Sequence, residues 1–275
     1  MASMSCFLSI VIPAYNEVNR IRRSLDAVLR FLQSQNYRAE VIVVDDGSSD
    51  ETAARVSDYI SKFHDAGHDL RVLINKPNRG KGYSVKRGLT EATGEIVLFS
   101  DADFSSPITE APKLIDPIAQ GHVDVNVGSR ALNRALIGVH QPRMRELGGM
   151  VFNLCMRAIT GLKFKDTQCG FKAFRREPAL PVFKLQRIDR FGFDAEVLYI
   201  AKKHGNRIVE VPVTWDHCEG GELQSKWNYL RDSIDMFVDL IRIRLNDLAG
   251  RYDAPKTHIA SEAQQPVSRA ATKQR

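Results

Sequence analysis

No stretch of this 275-residue chain approaches the roughly 20 consecutive apolar residues needed to cross a bilayer. The apolar run Phe7–Ile12 has no basic segment before it and leads straight into Pro13-Ala14-Tyr15-Asn16-Glu17, so it reads as a first strand and not a signal peptide. Cysteine is sparse: Cys6, Cys155, Cys169 and Cys218 are scattered without a CxxC pair. That argues against a zinc framework or a disulfide ladder and makes a reducing cytoplasm the expectation. Strong charge of one sign is missing too. Of the net +6, the tail from Ala254 to Arg275 supplies +3 (four Lys/Arg against Glu262), which leaves a body too weakly basic to suggest a nucleic-acid partner. Glycine-rich phosphate loops are also absent. The first strand leads to Pro13, not to GxGxxG, and Gly80-Lys81-Gly82 lacks the spacing of a P-loop. There are no internal repeats.

What is present is a strand–helix alternation. Leu8–Ile12, Val41–Val44, Leu70–Ile74, Ile96–Phe99 and Val123–Val127 are short apolar runs of the kind buried on both faces of a parallel sheet. Between them, Glu17–Leu32 places Ile21, Leu25, Val28 and Leu32 on one helical face, and Asp50 reads as the N-cap of a helix through Ile60. The pattern predicts an α/β fold, a doubly wound sheet flanked by helices. After Gly128 come a basic loop (Ser129–Glu146) and an apolar helix (Leu147–Leu162). A strand at Phe171–Phe174, a helix near Ala195–His204 and a strand at Ile208–Val213 follow. Apolar residues spaced three and four apart from Trp227 to Leu248 predict a long amphipathic helix. The expected organisation is one domain over 1–222, the C-terminal helix over 223–252 and a disordered tail over 253–275.

In open α/β sheets ligands bind beyond the carboxyl ends of the strands. Three such ends here carry acids: Glu17, Asp45-Asp46-Gly47-Ser48 and Asp101-Ala102-Asp103. Any one acid could simply form a turn or cap a helix. Five at one rim repel each other unless something compensates them. A hard divalent ion, Mg²⁺ or Mn²⁺, would do so and would bridge a donor diphosphate. Gly80-Lys81-Gly82 is either a glycine turn or a place where Lys81 reaches a phosphate. His64 and His68, at i and i+4, read as surface residues.

The segments Ile10–Glu17, Val44–Asp50 and Asp101–Asp103 resemble the family 2 glycosyltransferases of GT-A fold. Gly128-Ser129-Arg130, Asp166–Lys172, Phe191–Glu196, Val211–Trp215, Ser225-Lys226 and Ile241–Leu245 resemble the polyprenyl-phosphate branch, closest to the dolichyl-phosphate glucosyltransferases. The resemblance spans Leu8 to Tyr252 and implies a mixed, mostly parallel GT-A sheet. It implies a nucleotide site of Pro13, Ala14, Tyr15, Glu17, Asp45, Asp46, Gly47, Lys81, Asp101 and Ala102, with metal at Asp101 and Asp103. Asp101, Asp103, Asp166 and Gln168 are the expected catalytic set, the last two orienting the sugar. Mannosyl-transferring relatives commonly carry Gln two residues past the DxD motif, where this chain has Ser105, which favours a UDP-sugar over GDP-mannose. The eukaryotic relatives carry an N-terminal membrane anchor that this chain lacks, suggesting a prokaryotic relative.

Between Ser129 and Lys165 seven basic residues face one acid, Glu146. They form either a solvated face or, beside the apolar helix, a site for an anionic lipid headgroup built from Ser129, Arg130, Arg143 and Lys226. The apolar and C-terminal helices would then pack on the body, rest on the bilayer interface, or both. The expected reaction is inverting transfer of glucose from UDP-glucose to a polyprenyl phosphate, by a peripheral enzyme at the cytoplasmic face of a membrane. Alternatives are a GDP-mannose donor, a soluble or polysaccharide acceptor with Asp194 or Glu196 as base, and a non-catalytic nucleotide-sugar-binding protein.

Overall fold

The computed structural model describes residues 5–139, 143–216 and 226–254, with side chains undescribed at 143–146, 226–231 and 233. The first half alternates strand and helix. The order is β1 (Leu8–Ala14), α1 (Ile21–Gln33), β2 (Ala39–Asp45), α2 (Thr52–Ser57), α3 (Ile60–Asp65), β3 (Asp69–Ile74), α4 (Lys81–Glu91) and β4 (Ile96–Ser100). It continues with α5 (Ala111–Ala119), β5 (Val125–Ser129), α6 (Arg143–Thr160), β6 (Phe171–Arg175), α7 (Arg176–Leu185), α8 (Phe193–Lys203), β7 (Ile208–Pro212) and α9 (Lys226–Leu248).

The strands form one sheet in the order β3-β2-β1-β4-β6-β5-β7. All neighbours run parallel except β6, which is antiparallel to both β4 and β5. The chain steps outward from β1 through β2 to β3 and then returns to the other side of β1 as β4. The crevice between the ends of β1 and β4 is therefore a topological switch point, where open α/β sheets take their ligands. Two apolar layers hold the helices on. Ile10, Leu25, Val28, Val43 and Leu98 belong to one face, and Val11, Val44, Val97, Phe99, Phe183 and Leu198 to the other. Both faces of the central strands are buried, which explains their continuous apolar runs.

Several boundaries differ from the sequence reading. The segment from Glu17 begins as a turn, in which the Arg20 and Ile21 N–H groups donate to the Glu17 carbonyl, and α1 starts only at Ile21. The helix expected after Asp50 is split into α2 and α3, although Asp50 does accept the Thr52 N–H at 2.9 Å. The expected basic loop shrinks because β5 extends to Ser129 and α6 starts at Arg143. Of the tail, residues 255–275 lie outside the described residues. No described helix is long and apolar enough to cross a membrane.

Candidate functional site

The ends of β1 and β2 are in register, Ala14 opposite Asp45, so the polar residues that follow each strand emerge side by side. Tyr15 stands out into solvent, and Asn16 takes a left-handed φ of 53°, which turns the chain toward α1. Its amide side chain accepts the Ser49 N–H at 2.9 Å, while its own N–H donates to Ser48 Oγ at 3.0 Å, tying the two strand ends together. Asp45 accepts the Ser48 N–H at 2.8 Å. Gly47 follows with φ 75°, a conformation that glycine adopts without strain.

Asp46 is buried, and both of its oxygens are engaged. Oδ1 accepts from Asn75 Nδ2 (2.7 Å) and the Arg79 N–H (3.0 Å), and Oδ2 accepts the Gly80 N–H (2.7 Å). Its carboxylate therefore shapes the loop from 75 to 80, and that loop delivers Lys81 at the start of α4.

From there Lys81 Nζ reaches Asp101 Oδ1 at 2.6 Å. Burial works against its ammonium, but Asp101, Asp194 and Asp103 outweigh that and hold its pKa above the usual lysine value. Asp101 is fixed from the other side by β6. Its N–H donates to the Gly170 carbonyl at 3.0 Å, and its carboxylate fills the space that a Cβ on Gly170 would need. Ala102 is buried, its carbonyl accepting Ser24 Oγ of α1 at 2.5 Å. Asp103 Oδ1 accepts the Ser105 N–H at 3.0 Å. Glu17, bonded to Arg20 at 2.6 and 2.7 Å, is pushed above the usual carboxylate range by burial, with Asp103 and Asp101 adding to the push and Arg20 opposing it. The acids of β1 and β4 thus do converge and do feel each other.

Among the described residues no three His, Cys, Asp or Glu side chains form a complete metal cage. Mg²⁺ and Mn²⁺ sites in phosphate-handling enzymes commonly use one or two carboxylates, with substrate phosphates and water completing the shell. An Asp101–Asp103 pair, with the Lys81 ammonium 2.6 Å from Asp101 Oδ1 to share the charge of a bound phosphate, fits that donor set.

Across the crevice, at the end of β5, Ser129 is buried and Arg130 forms a forked pair with Asp166. Arg130 Nε and Nη2 donate at 2.7 and 2.9 Å, and the Arg130 N–H adds a third bond at 3.0 Å. Burial raises the Asp166 carboxyl, but the Arg130 charge and hydrogen bonds win and hold it below the usual range. The same guanidinium lies 5.4 Å from the Trp215 ring. Asp166 also accepts the Gln168 N–H at 3.1 Å. Three buried polar atoms next to this pair, Ser129 Oγ, Thr167 Oγ1 and Gln168 Nε2, have no hydrogen-bond partner, an arrangement that leaves donors for something polar. The side chains of Arg143 and Lys226 lie outside the described residues.

Other residues with structural weight at the site were not assigned roles from sequence. Lys172 of β6 is buried and forms an ion pair with Asp194 of α8 while donating to the Cys169 carbonyl at 2.5 Å. Glu210 of β7 holds the loop before Gln168 by accepting the Lys165 and Asp166 N–H groups at 2.8 and 2.9 Å. An odd polar residue within an apolar strand, Lys172 in Phe-Lys-Ala-Phe, is the signal that could have flagged the first. Glu196, weighed as a base, is instead buried and accepts from the Arg187 and Ile188 N–H groups and from Tyr252 Oη at 2.5 Å. His64 is exposed as expected, but His68 is buried and not a surface residue, its Nδ1 accepting the Ala39 N–H at 3.3 Å.

Residues 9–182 match the family model described as Glycosyl transferase family 2. The chain is 35% identical over 253 residues to the dolichyl-phosphate beta-glucosyltransferase of Dictyostelium discoideum, covering 89% of this chain and 76% of that protein. Identity to the Homo sapiens enzyme of the same name is 34% over 266 residues, covering 91% and 78% of the two chains. Among solved structures, glucosyl-3-phosphoglycerate synthase of Mycobacterium tuberculosis in complex with UDP superposes with a TM-score of 0.61 at 20% identity, over 92% of this chain and 82% of that one. The same enzyme bound to Mn²⁺ and UDP-glucose gives 0.58 at 20%, over 92% and 81%. At that identity the likeness concerns the fold, which is GT-A.

Proposed function

The chain belongs to glycosyl transferase family 2, and from that premise we propose that it transfers glucose, with inversion, from UDP-glucose to the phosphate of a polyprenyl or dolichyl lipid. The observation that carries the reading is the pairing of two units across one crevice. On one side Asp101, Asp103 and Lys81 meet at the switch point, and on the other Arg130 is presented by Asp166 beside unpartnered polar atoms.

The donor side takes the nucleotide between Pro13, Ala14, Tyr15 and Glu17 of the first strand end and Asp45, Asp46 and Gly47 of the second. Asp46 acts through the 75–80 loop it anchors. Asp101 and Asp103 would hold Mg²⁺ or Mn²⁺, which supplies charge stabilisation for the departing diphosphate. Lys81, already within 2.6 Å of Asp101, adds a second cation to the same oxygens. On the acceptor side Asp166 takes two of the five guanidinium N–H groups, so Arg130 keeps donors for a phosphate, with Ser129, Arg143 and Lys226 completing the headgroup site. Gln168, with its unpartnered Nε2, is placed to hold a sugar hydroxyl.

A phosphate monoester has a second pKa near ~6, so the acceptor is largely ionised at neutral pH and needs no general base. That agrees with Asp194 and Glu196, whose carboxylates are both consumed by protein partners. Direct displacement at the anomeric carbon follows, and inversion with it. The enzyme acts from the cytoplasmic face of a membrane as a peripheral protein.

The test is incubation with Mn²⁺ and labelled UDP-glucose, with and without polyprenyl phosphate, followed by solvent extraction. Label is expected in the organic phase only when polyprenyl phosphate and metal are both present. Label confined to a water-soluble acceptor, or undiminished by a chelator, would overturn the reading.

A further inference from the structure

Between the 187–190 segment and α9 lies a groove of about 630 Å³ that the reaction does not use. Arg187, Ile188, Asp189 and Arg190 line one wall, and Asp235, Asp239, Arg242, Leu245 and Asn246 of α9 line the other, with Arg251 at one end. Its charges do not cancel. Arg242 pairs with Asp239 at 2.9 Å, and Asp189 with Arg79 at 3.5 Å. Arg251 donates to the neutral Asn246 at 2.8 Å. Among the described residues the side chains of Arg187 and Arg190 have no hydrogen bond or ion pair, and both are exposed. Four arginines (Arg187, Arg190, Arg242, Arg251) face three aspartates (Asp189, Asp235, Asp239), an excess of one positive charge, and Arg187 and Arg190 hold the least committed guanidinium groups.

The rim of the groove is apolar. Leu245 lines it and also belongs to a stripe along α9 in which Ile234 is 55% exposed, Ile241 53%, Leu245 60% and Leu248 77%. Those residues recur at helical spacing on the face turned away from Leu240 and Ile243, which are fully buried. The neighbouring helix α6, packed on α9 through Phe152 and Phe237 (centroids 5.5 Å), leaves Leu147, Met150, Val151 and Leu154 about half exposed or more. Exposed apolar residues repeated along one face of each of two packed helices mark a candidate interaction surface. Arginines in a groove beside it specify what the partner offers: an anionic group joined to an apolar phase.

We propose that this groove receives the headgroup of an anionic membrane phospholipid while the α9 stripe lies at the headgroup–acyl boundary. The proposal rests on the reading above only in taking the enzyme to work at a bilayer, and it adds a second lipid site distinct from the one for the acceptor. The groove wall is also the segment that supports α4: the Tyr83 N–H donates to the Asp189 carbonyl at 3.0 Å. Headgroup binding therefore touches the element carrying Lys81.

Flotation with phosphatidylglycerol vesicles, with phosphatidylcholine vesicles as control, tests this on the full chain. Arg187→Ser combined with Arg190→Ser keeps the fold, since the Arg187 bond to Glu196 comes from the backbone N–H. Wild type should bind phosphatidylglycerol and bind phosphatidylcholine far less. The double variant should bind phosphatidylglycerol about thirty-fold more weakly, as expected for two basic residues at about 1 kcal/mol each near an anionic surface. Glucosyl transfer to a short-chain, water-soluble prenyl phosphate should be unchanged. Equal binding by wild type and variant, equal binding to both vesicles, or competition by millimolar inorganic phosphate with no vesicle binding would each overturn the proposal. So would a dimer that Leu245→Asp dissociates, because a second copy would then cover the stripe. Vesicle binding without any transfer to the soluble acceptor would sink the functional reading and leave the lipid site standing.

Discussion

Gly170 matters for what it leaves open. The Asp101 carboxylate occupies the volume of a missing side chain, and a methyl group at 170 would overlap both of its oxygens. Gly170→Ala must therefore rotate or displace Asp101, the acid that Lys81 grips at 2.6 Å. A misplacement of about 1 Å near reacting groups costs on the order of 10²-fold in rate. We expect kcat to fall by roughly that factor, while overpacking lowers stability by only about 1–3 kcal/mol. A steady-state assay beside a urea melt separates the two effects. An unchanged kcat in a folded variant would remove Asp101 from the chemistry. Asp46 makes the complementary case: a residue flagged for its chemistry whose carboxylate hydrogen bonds all run to the 75–80 loop that leads to Lys81.

Among the elements, β6 does the most to complete the site; the strand itself was legible in the sequence, but its place between β4 and β5 was not. It enters antiparallel between β4 and β5, placing Lys172 opposite Phe99 on one side and Val127 on the other. Lys172 and Asp194 are then 2% and 3% exposed. Removing one member of such a pair strands a charge and costs about 3–5 kcal/mol, whereas replacing both with apolar groups is often close to neutral. Lys172→Met and Asp194→Leu should each lower the urea midpoint strongly, and the double variant should recover most of the loss. Simple additivity would mean that the two charges do not compensate each other. The rim acids were legible because their chemistry is local: each follows an apolar run and needs only its own strand to be placed. The Arg130–Asp166 pair was legible as two residues but not as a pair, since 36 positions separate them. Helices α5 and α7 have no counterpart in the sequence reading. Pro117 and Pro181 sit inside them, residues that sequence rules assign to breaks, and tertiary packing of Leu114, Ile118, Val182 and Phe183 overrides that preference.

Taken as a whole, the molecule carries two opposed sets of buried acids, and their balance sets its response to pH. Asp124 is held below the usual carboxylate range by hydrogen bonds from Arg207, with Arg175 adding to them. Glu40 and Asp166 are also held low, because bonds from Ser9 and Thr93 in one case and Arg130 in the other outweigh the burial that would raise them. These three join distant parts of the sheet, and their stabilisation is present above the unfolded-state pKa values and lost as pH falls through the lower folded ones. Glu17, Glu196 and Asp239 are the reverse: burial raises each of them, so the folded state takes up protons before the unfolded chain does. Their contribution grows as pH falls from neutrality through the raised values and is complete below the unfolded ones. Acidification should therefore first maintain or increase stability and then reduce it steeply, with a maximum on the acid side of neutrality. Urea midpoints measured from pH 7.5 down to 3 check this. Asp124→Asn should flatten the fall on the acid limb, since the group that loses its charge there has been removed. Glu196→Gln should flatten the rise between neutrality and the maximum. A stability that falls monotonically from pH 7 would show that the raised acids are not buried as described.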